Sequence, residues 1–161
     1  MKKTDQQCDV VFTTDLATIG LQFDGSKLIK VKYLSKTSTN APPSKIIGSV
    51  KNKIEKYLDP SSKTKNINVD VLLNVTPFQD KVLKQLQKIP YGETRTYGEI
   101  AKILKTSPRA VGNACRYNPL PIIIPCHRVV AAKGIGGYDG ARSGNLLKIK
   151  RQLLENEGLY L

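Results

Sequence analysis

A cysteine stands directly beside the chain's only histidine, in the run Pro125-Cys126-His127-Arg128-Val129-Val130. A thiol attacks as thiolate, so a nearby base makes a cysteine a nucleophile. Neighbouring residues of an extended segment point to opposite sides. Direct contact between Cys126 and His127 therefore needs a turn, and a bridging water is the alternative. The preceding Asn118-Pro119-Leu120-Pro121-Ile122-Ile123-Ile124 reads as an apolar, strand-like lead into the pair. The expectation is an activated cysteine on the rim of a buried element, its thiol titrating below the usual value of about 8.5.

The elements ahead of the pair suggest what it meets. Thr76-Pro77 is a cap with proline at the first helical position. Phe78, Val82, Leu83, Leu86 and Ile89 follow on one face, and Pro90-Tyr91-Gly92 ends that helix. Thr96 with Glu99 three residues on forms a capping box, opening a second helix with Ile100, Ala101, Ile103 and Leu104 on its apolar face. Lys105-Thr106 is a short turn, and Ser107-Pro108 opens a third helix through Arg116. Two short helices so closely spaced form a helix-turn-helix pattern. On the third helix Val111, Ala114 and Cys115 suit packing, with Cys115 an inert core thiol. Arg109, Gly112, Asn113 and Arg116 fall on the other side. Two arginines, an amide and a glycine make a face suited to nucleic acid, the glycine allowing close backbone approach; a solvated helix surface is the plainer reading. After Val130, the glycine-rich stretch to Gly140 is a loop, and Leu146 to Leu154 form a last helix. The chain carries neither a GxxxxGK[ST] phosphate loop nor a GxGxxG placed before an acidic strand end.

The first part of the chain reads as a small sheet with one helix. Ile19 to Phe23 and Leu28 to Tyr33 alternate around Asp24-Gly25, a hairpin signal. Ser35 to Ser44 is polar and proline-bearing, a loop. Ile46, Ile47, Val50, Ile54, Tyr57 and Leu58 recur with a helical period, and Val69 to Leu73 looks like another strand. The net charge is +13, with +5 through Thr76 and +8 after it. A polyanionic partner is the natural inference, although Lys2, Lys3, Lys63 and Lys65 lie in expected loops and need only solubilise. No apolar run approaches the roughly 20 residues of a membrane span, and the start lacks the apolar core of a signal peptide. Three widely spaced cysteines without a CxxC pair fit reduced thiols, so a cytosolic protein is expected.

From Pro77 to Gly158 the chain resembles the O6-alkylguanine-DNA alkyltransferases, the methylated-DNA–protein-cysteine methyltransferases. Phe78-Gln79, Ile89 to Thr94, Tyr97 to Ala101 and the whole stretch Arg109 to Val130 carry the resemblance. The resemblance implies an α+β protein. A small N-terminal sheet-plus-helix domain of RNase H-like character, residues 1–75, precedes a helical winged helix-turn-helix domain, residues 76–161, that carries the cysteine. It implies suicidal repair. An O6-alkylguanine, and in some cases an O4-alkylthymine, is flipped from double-stranded DNA. Cys126 then takes the alkyl group once and irreversibly. His127 would act as base through a water, oriented by Glu157, with Glu155 a competing candidate. Tyr97 would supply a proton or hydrogen bond to the leaving guanine, and Asn118 would hold the active-site turn. Arg109 would enter the duplex as a finger. Ala110, Gly112, Asn113, Arg116 and Arg128 would contact DNA, with the helix in the minor groove. Val129, Tyr138 and Asp139 would line the base pocket, Pro121 giving a stiff apolar wall and Gly137 room at its mouth. The implied protein acts as a monomer without cofactor or metal. Some relatives bind zinc, but here Cys8 is isolated and the histidine is committed elsewhere. Two other classes compete: a DNA-binding module without chemistry, against which Cys126 in its motif argues, and a Cys–His hydrolase. The adjacent spacing and the lack of a G-x-S-x-G elbow argue against the hydrolase, which would also turn over repeatedly.

Overall fold

Alternating apolar residues build a three-stranded antiparallel sheet in the first part of the computed structural model, which describes residues 7–35 and 39–161. Lys2, Lys3 and the 36–38 portion of the expected Ser35–Ser44 loop lie outside the described residues. The strands are β1 (Val10–Thr13), β2 (Thr18–Asp24) and β3 (Lys27–Leu34), in spatial order β1-β2-β3. Asp24 pairs with Lys27, so Gly25-Ser26 is a two-residue hairpin loop, and Gly25 takes φ 59°, which a glycine adopts without strain. Helix α1 (Lys45–Leu58) begins at Ser44, whose side chain accepts from the Ile47 amide. Its buried stripe is Ile47, Val50, Ile54 and Leu58. Ile46, expected on that stripe, is exposed, because one residue rotates it about 100° away from Ile47. The expected strand at Val69–Leu73 forms only one bridge, Val71 to Leu28. There the Leu28 amide donates to the Asp70 carbonyl and the Leu72 amide donates to the Leu28 carbonyl.

The chain divides into two units after Leu73. The second unit is helical, with α2 (Pro77–Leu86), α3 (Tyr97–Leu104), α4 (Pro108–Arg116) and α5 (Asn145–Asn156). Strands β4 (Arg95–Thr96) and β5 (Val129–Val130) pair in parallel, tying the start of α3 to the segment after Cys126. Side chains of Thr76, Thr96 and Ser107 accept from the amides of Gln79, Glu99 and Ala110, satisfying helix-end donors. Lys105 ends α3 at φ 55°, so the chain reverses within two residues and enters α4. Helices α2, α3 and α4 pack on one another, burying Val82, Leu83, Leu86, Ile100, Val111 and Ala114, while α5 packs on the turn at Cys126–Arg128 and buries Ile149, Leu153 and Leu154. The architecture is α+β, with a small sheet-and-helix part followed by a helical part that contains buried Cys126. No helix among the described residues is long and apolar enough to cross a membrane.

The lead into Cys126 differs from the expectation. Asn118 to Ile124 is not strand-like but a tight turn: the Ile124 amide donates to Leu120 and Ile122 takes φ 75°. The Asn118 side chain fixes it, accepting from the Leu120 amide and donating to the Ile124 carbonyl, both at 3.0 Å. Two prolines remove ladder donors from this stretch, and the asparagine supplies turn bonds instead.

Candidate active site

Cys126, His127 and Arg128 form a single 3₁₀ turn, all three buried. The turn lets consecutive side chains diverge. Cys126 lines a cavity of about 890 Å³. His127 points into the protein, fully buried, with Nε2 3.2 Å from Glu157 Oε1. Glu157 sits at the C-cap of α5, so it is this residue and not Glu155 that meets the imidazole. An ionised carboxylate only accepts, so Nε2 carries the proton and Nδ1 is left as the acceptor. Nδ1 is buried without a hydrogen-bond partner among the described residues.

Arg128 is a correction to the sequence reading. It is 8% exposed and does not belong to a DNA-contacting surface. Its Nε lies 3.0 and 3.1 Å from the two Glu157 oxygens, a terminal nitrogen lies 2.6 Å from Oε1, and the other donates to the Ile89 carbonyl at 2.8 Å. The guanidinium fork matches the buried carboxylate, which draws it inward. Burial opposes ionisation of Glu157, but hydrogen bonds from His127 and Arg128 outweigh it and hold the carboxyl at about 2. Burial holds His127 below its ordinary value, which leaves the imidazole neutral and able to accept a proton.

The cysteine itself runs against expectation. Burial pushes the Cys126 thiol up to about 11, despite a hydrogen bond from Asn118 and the charge of Lys150; Asp139 adds to the rise. Desolvation is the largest influence on the sulfur and exceeds the lowering from Asn118 and Lys150. Cys126 therefore rests as a thiol. Burial also pushes Tyr97 and Cys115 far above their ordinary values, so both keep their protons.

The other predicted residues divide cleanly. Tyr97, Arg109, Ala110, Gly112, Asn113, Arg116, Gly137, Tyr138 and Asp139 all line the cavity with Cys126. Tyr97, the first residue of α3, donates to the Gly137 carbonyl at 3.4 Å. Arg109, Asn113 and Arg116 are exposed along α4. Pro121 and Val129 do not line the cavity: both are buried, Pro121 inside the turn that Asn118 holds. The Val129 carbonyl instead accepts from Lys150 at 2.7 Å. Lys150 is the residue the sequence reading missed. It is 0% exposed and also donates to the Gly137 carbonyl at 2.8 Å. The signal was available, because Lys150 falls on the stripe of Leu146, Ile149, Leu153 and Leu154, where a helix turns inward. Cys115, read as inert core, is buried but reaches the cavity wall.

The model of the 6-O-methylguanine DNA methyltransferase DNA-binding domain matches residues 77–159. The methylated-DNA–protein-cysteine methyltransferase of Archaeoglobus fulgidus is 38% identical over 138 residues, which is 85% of this chain and 90% of that one. The chain belongs to the O6-alkylguanine-DNA alkyltransferase family. Two solved structures of alkyltransferases are similar over nearly their whole length. The OGT protein of Mycobacterium tuberculosis, solved in complex with DNA, is 33% identical with a TM-score of 0.77, covering 92% of this chain and 91% of that one. The O6-methylguanine DNA methyltransferase of Methanococcus jannaschii is 36% identical with a TM-score of 0.70, covering 94% of each. The protein is a direct-reversal alkyltransferase, an enzyme that moves an alkyl group onto a cysteine.

Proposed function

We propose that Cys126 is the acceptor and that the cavity beside it receives an O6-alkylguanine flipped out of double-stranded DNA. One observation carries this reading. Cys126 reaches a cavity walled by the exposed arginine face of α4, while its neighbour His127 is locked on the far side by Glu157. A nucleophile thus faces the DNA side and its base faces the interior.

The chemistry balances with these groups. His127 Nδ1 takes the Cys126 proton through one water, and Glu157 stabilises the imidazolium that forms. The sulfur attacks the alkyl carbon, a C–S bond forms, and the carbon–O6 bond breaks. The electron pair returns to the guanine, whose N1 takes up a proton, so the thiol proton is the one restored to the base. Tyr97, which keeps its proton, donates a hydrogen bond to the departing base. Asn118 holds the turn so that the sulfur stays aimed into the cavity. The thioether has no route back to thiol, so each molecule acts once. A resting thiol near 11 suits a protein that must survive until it meets damage.

Arg109 stands at the second position of α4 on the cavity rim and fills the gap left by the flipped base. Ala110 and Gly112 keep the helix surface low enough for the minor groove, and Asn113 and Arg116 meet phosphates. All these residues lie in one unit of one chain, so a monomer suffices. Incubation with duplex containing O6-methylguanine should add one methyl group per chain, mapped to Cys126 by mass spectrometry, with no second turnover. Cys126→Ser should abolish transfer while leaving duplex binding nearly intact. A methyl group on Cys8 or Cys115, or repeated turnover, would refute this assignment.

A further inference from the structure

The wall of the cavity beside Cys126 holds a charge that neither its turn nor its chemistry demands. Among the described residues that line the cavity, Asp139 is the one acidic residue, against Arg109, Arg116 and Arg142. Asp139 and Gly140 are the central pair of a tight hairpin turn. The Tyr138 and Ala141 amides donate to each other's carbonyls at 2.9 Å, and the central residues take φ 49° and 83°. Such a turn requires a left-handed pair, and Asn-Gly meets that requirement as well as Asp-Gly. The turn therefore accounts for the conformation at Asp139 and not for its charge. Nor does the charge help a thiolate, since Asp139 raises the Cys126 thiol where Lys150 lowers it. The two charges stand differently toward a substrate. Lys150 is fully buried on the Val129 and Gly137 carbonyls and does not line the cavity. Asp139 is exposed on the cavity wall. A group that enters beside the sulfur meets Asp139.

We propose that Asp139 selects among O6-adducts by charge: its carboxylate on the cavity wall disfavours transfer of alkyl groups that carry a negative charge and favours transfer of those that carry a positive one. The inference rests on Cys126 being the acceptor of an alkyl group presented in this cavity. Attack brings the alkyl carbon to the sulfur, so a charged substituent on that carbon shares the cavity with the carboxylate. Like charges brought together there weaken the complex, and opposite charges strengthen it. A methyl group is neutral and indifferent to both. Arg109 and Arg116 belong to the α4 face, where a bound duplex offers them phosphates. Arg116 also lies over the turn, because a Cβ at Gly140 would stand 3.1 Å from its Nε. Engagement of that arginine by a phosphate leaves the carboxylate to act on the alkyl group. Arg142, exposed on the same loop, opposes the carboxylate and holds the effect to a few-fold.

The test uses a variant that keeps the turn and removes the charge. Asparagine suits the left-handed position, so Asp139→Asn changes charge at nearly constant shape. Three duplexes differ only in the adduct: O6-methylguanine, O6-carboxymethylguanine and O6-(2-aminoethyl)guanine. Single-turnover rates are measured for each, with the product mapped by mass spectrometry. Any change in the thiol or in duplex binding enters all three rates, so the ratio to methyl reads the charge of the alkyl group alone. From wild type to Asp139→Asn, the carboxymethyl-to-methyl ratio should rise roughly three- to fivefold, the size of an exposed charge pair, and the aminoethyl-to-methyl ratio should fall by a similar factor. Asp139→Ser, a second neutral variant, should move both ratios the same way. Unchanged ratios, or a shift of both charged adducts in one direction, would overturn the proposal. So would a shift in Asp139→Asn that Asp139→Ser does not reproduce, which would assign the effect to shape. If carboxymethyl transfer is too slow to measure in every protein, the aminoethyl ratio decides. Methyl found away from Cys126 in wild type would refute the acceptor assignment, whereas unchanged ratios with Cys126 methylated would refute only the role of Asp139.

Discussion

At the scale of single residues, the site is a balance between burial and pairing, and the same burial has opposite consequences for neighbours. It keeps Cys126 protonated and His127 neutral, while hydrogen bonds from His127 and Arg128 hold Glu157 ionised against its own burial. Arg128 is the stronger of those donors by geometry, with three contacts to the carboxylate. This gives a stability prediction with a definite sign. The folded value of Glu157 lies below its ordinary 4.5, so the stability from its pairing is fully present above that value and is lost as pH falls toward about 2. Arg128→Ala should therefore cost about 3–5 kcal/mol at pH 7, because it leaves a buried carboxylate poorly paired. The deficit should shrink as pH falls from about 4.5 to about 2. Urea midpoints of both proteins across this range measure it. A normal midpoint with weakened DNA binding would return Arg128 to the surface role that the sequence suggested.

At the scale of elements, the helices were legible and the connections carrying the site were not. The caps at Thr76, Thr96 and Ser107 depend on residues within one turn, so sequence order exposes them. The Cys126-His127 adjacency likewise pointed to the site before any fold was known. The turn at Asn118 to Ile124 depends on a side chain reaching six residues ahead, and apolar composition alone mimicked a strand. The shift of the thiol depends on how deeply folding buries it, which adjacency does not reveal. Lys150 was hidden because lysine reads as a polar position even when its stem completes an apolar stripe. The glycine loop carries a second element-scale consequence. Gly136 has φ 75°, and a Cβ there would stand 3.0 Å from the Tyr97 ring and 3.1 Å from the Ala131 amide nitrogen. Gly136→Ala should displace Tyr97 and slow transfer by about 10-fold, roughly the loss of one hydrogen bond to the departing base. Gly25→Ala is the control: φ 59° but no atom within 4 Å, so it should lose about 1 kcal/mol of stability and keep the wild-type rate. Matching rates for the two variants would show that the loop does not hold Tyr97.

At the scale of the whole molecule, a net charge of +13 must be reconciled with a task that concerns one base. Charge draws the protein to any duplex and releases counterions, so affinity should fall steeply with salt and vary little with sequence. Discrimination then belongs to the cavity and to the cost of extruding a base, which a damaged pair pays more easily than an intact one. Arg109 joins the two tasks, being exposed at the start of α4 and lining the cavity rim. If it stabilises the extruded state, its value depends on there being a stack to leave. Arg109→Ala should therefore slow repair of duplex by a factor corresponding to a few kcal/mol, roughly the unstacking cost. Reaction with free O6-benzylguanine should change little, because the free base enters the cavity without leaving a helix. Arg116→Ala should instead weaken binding to damaged and intact duplex alike and flatten the salt dependence. Second-order inactivation rates on duplex and on free base, measured for wild type and Arg109→Ala, decide the point. Equal losses on both substrates would mean that Arg109 supports the cavity wall, and the extruded state would then have to be held by another residue of the α4 face.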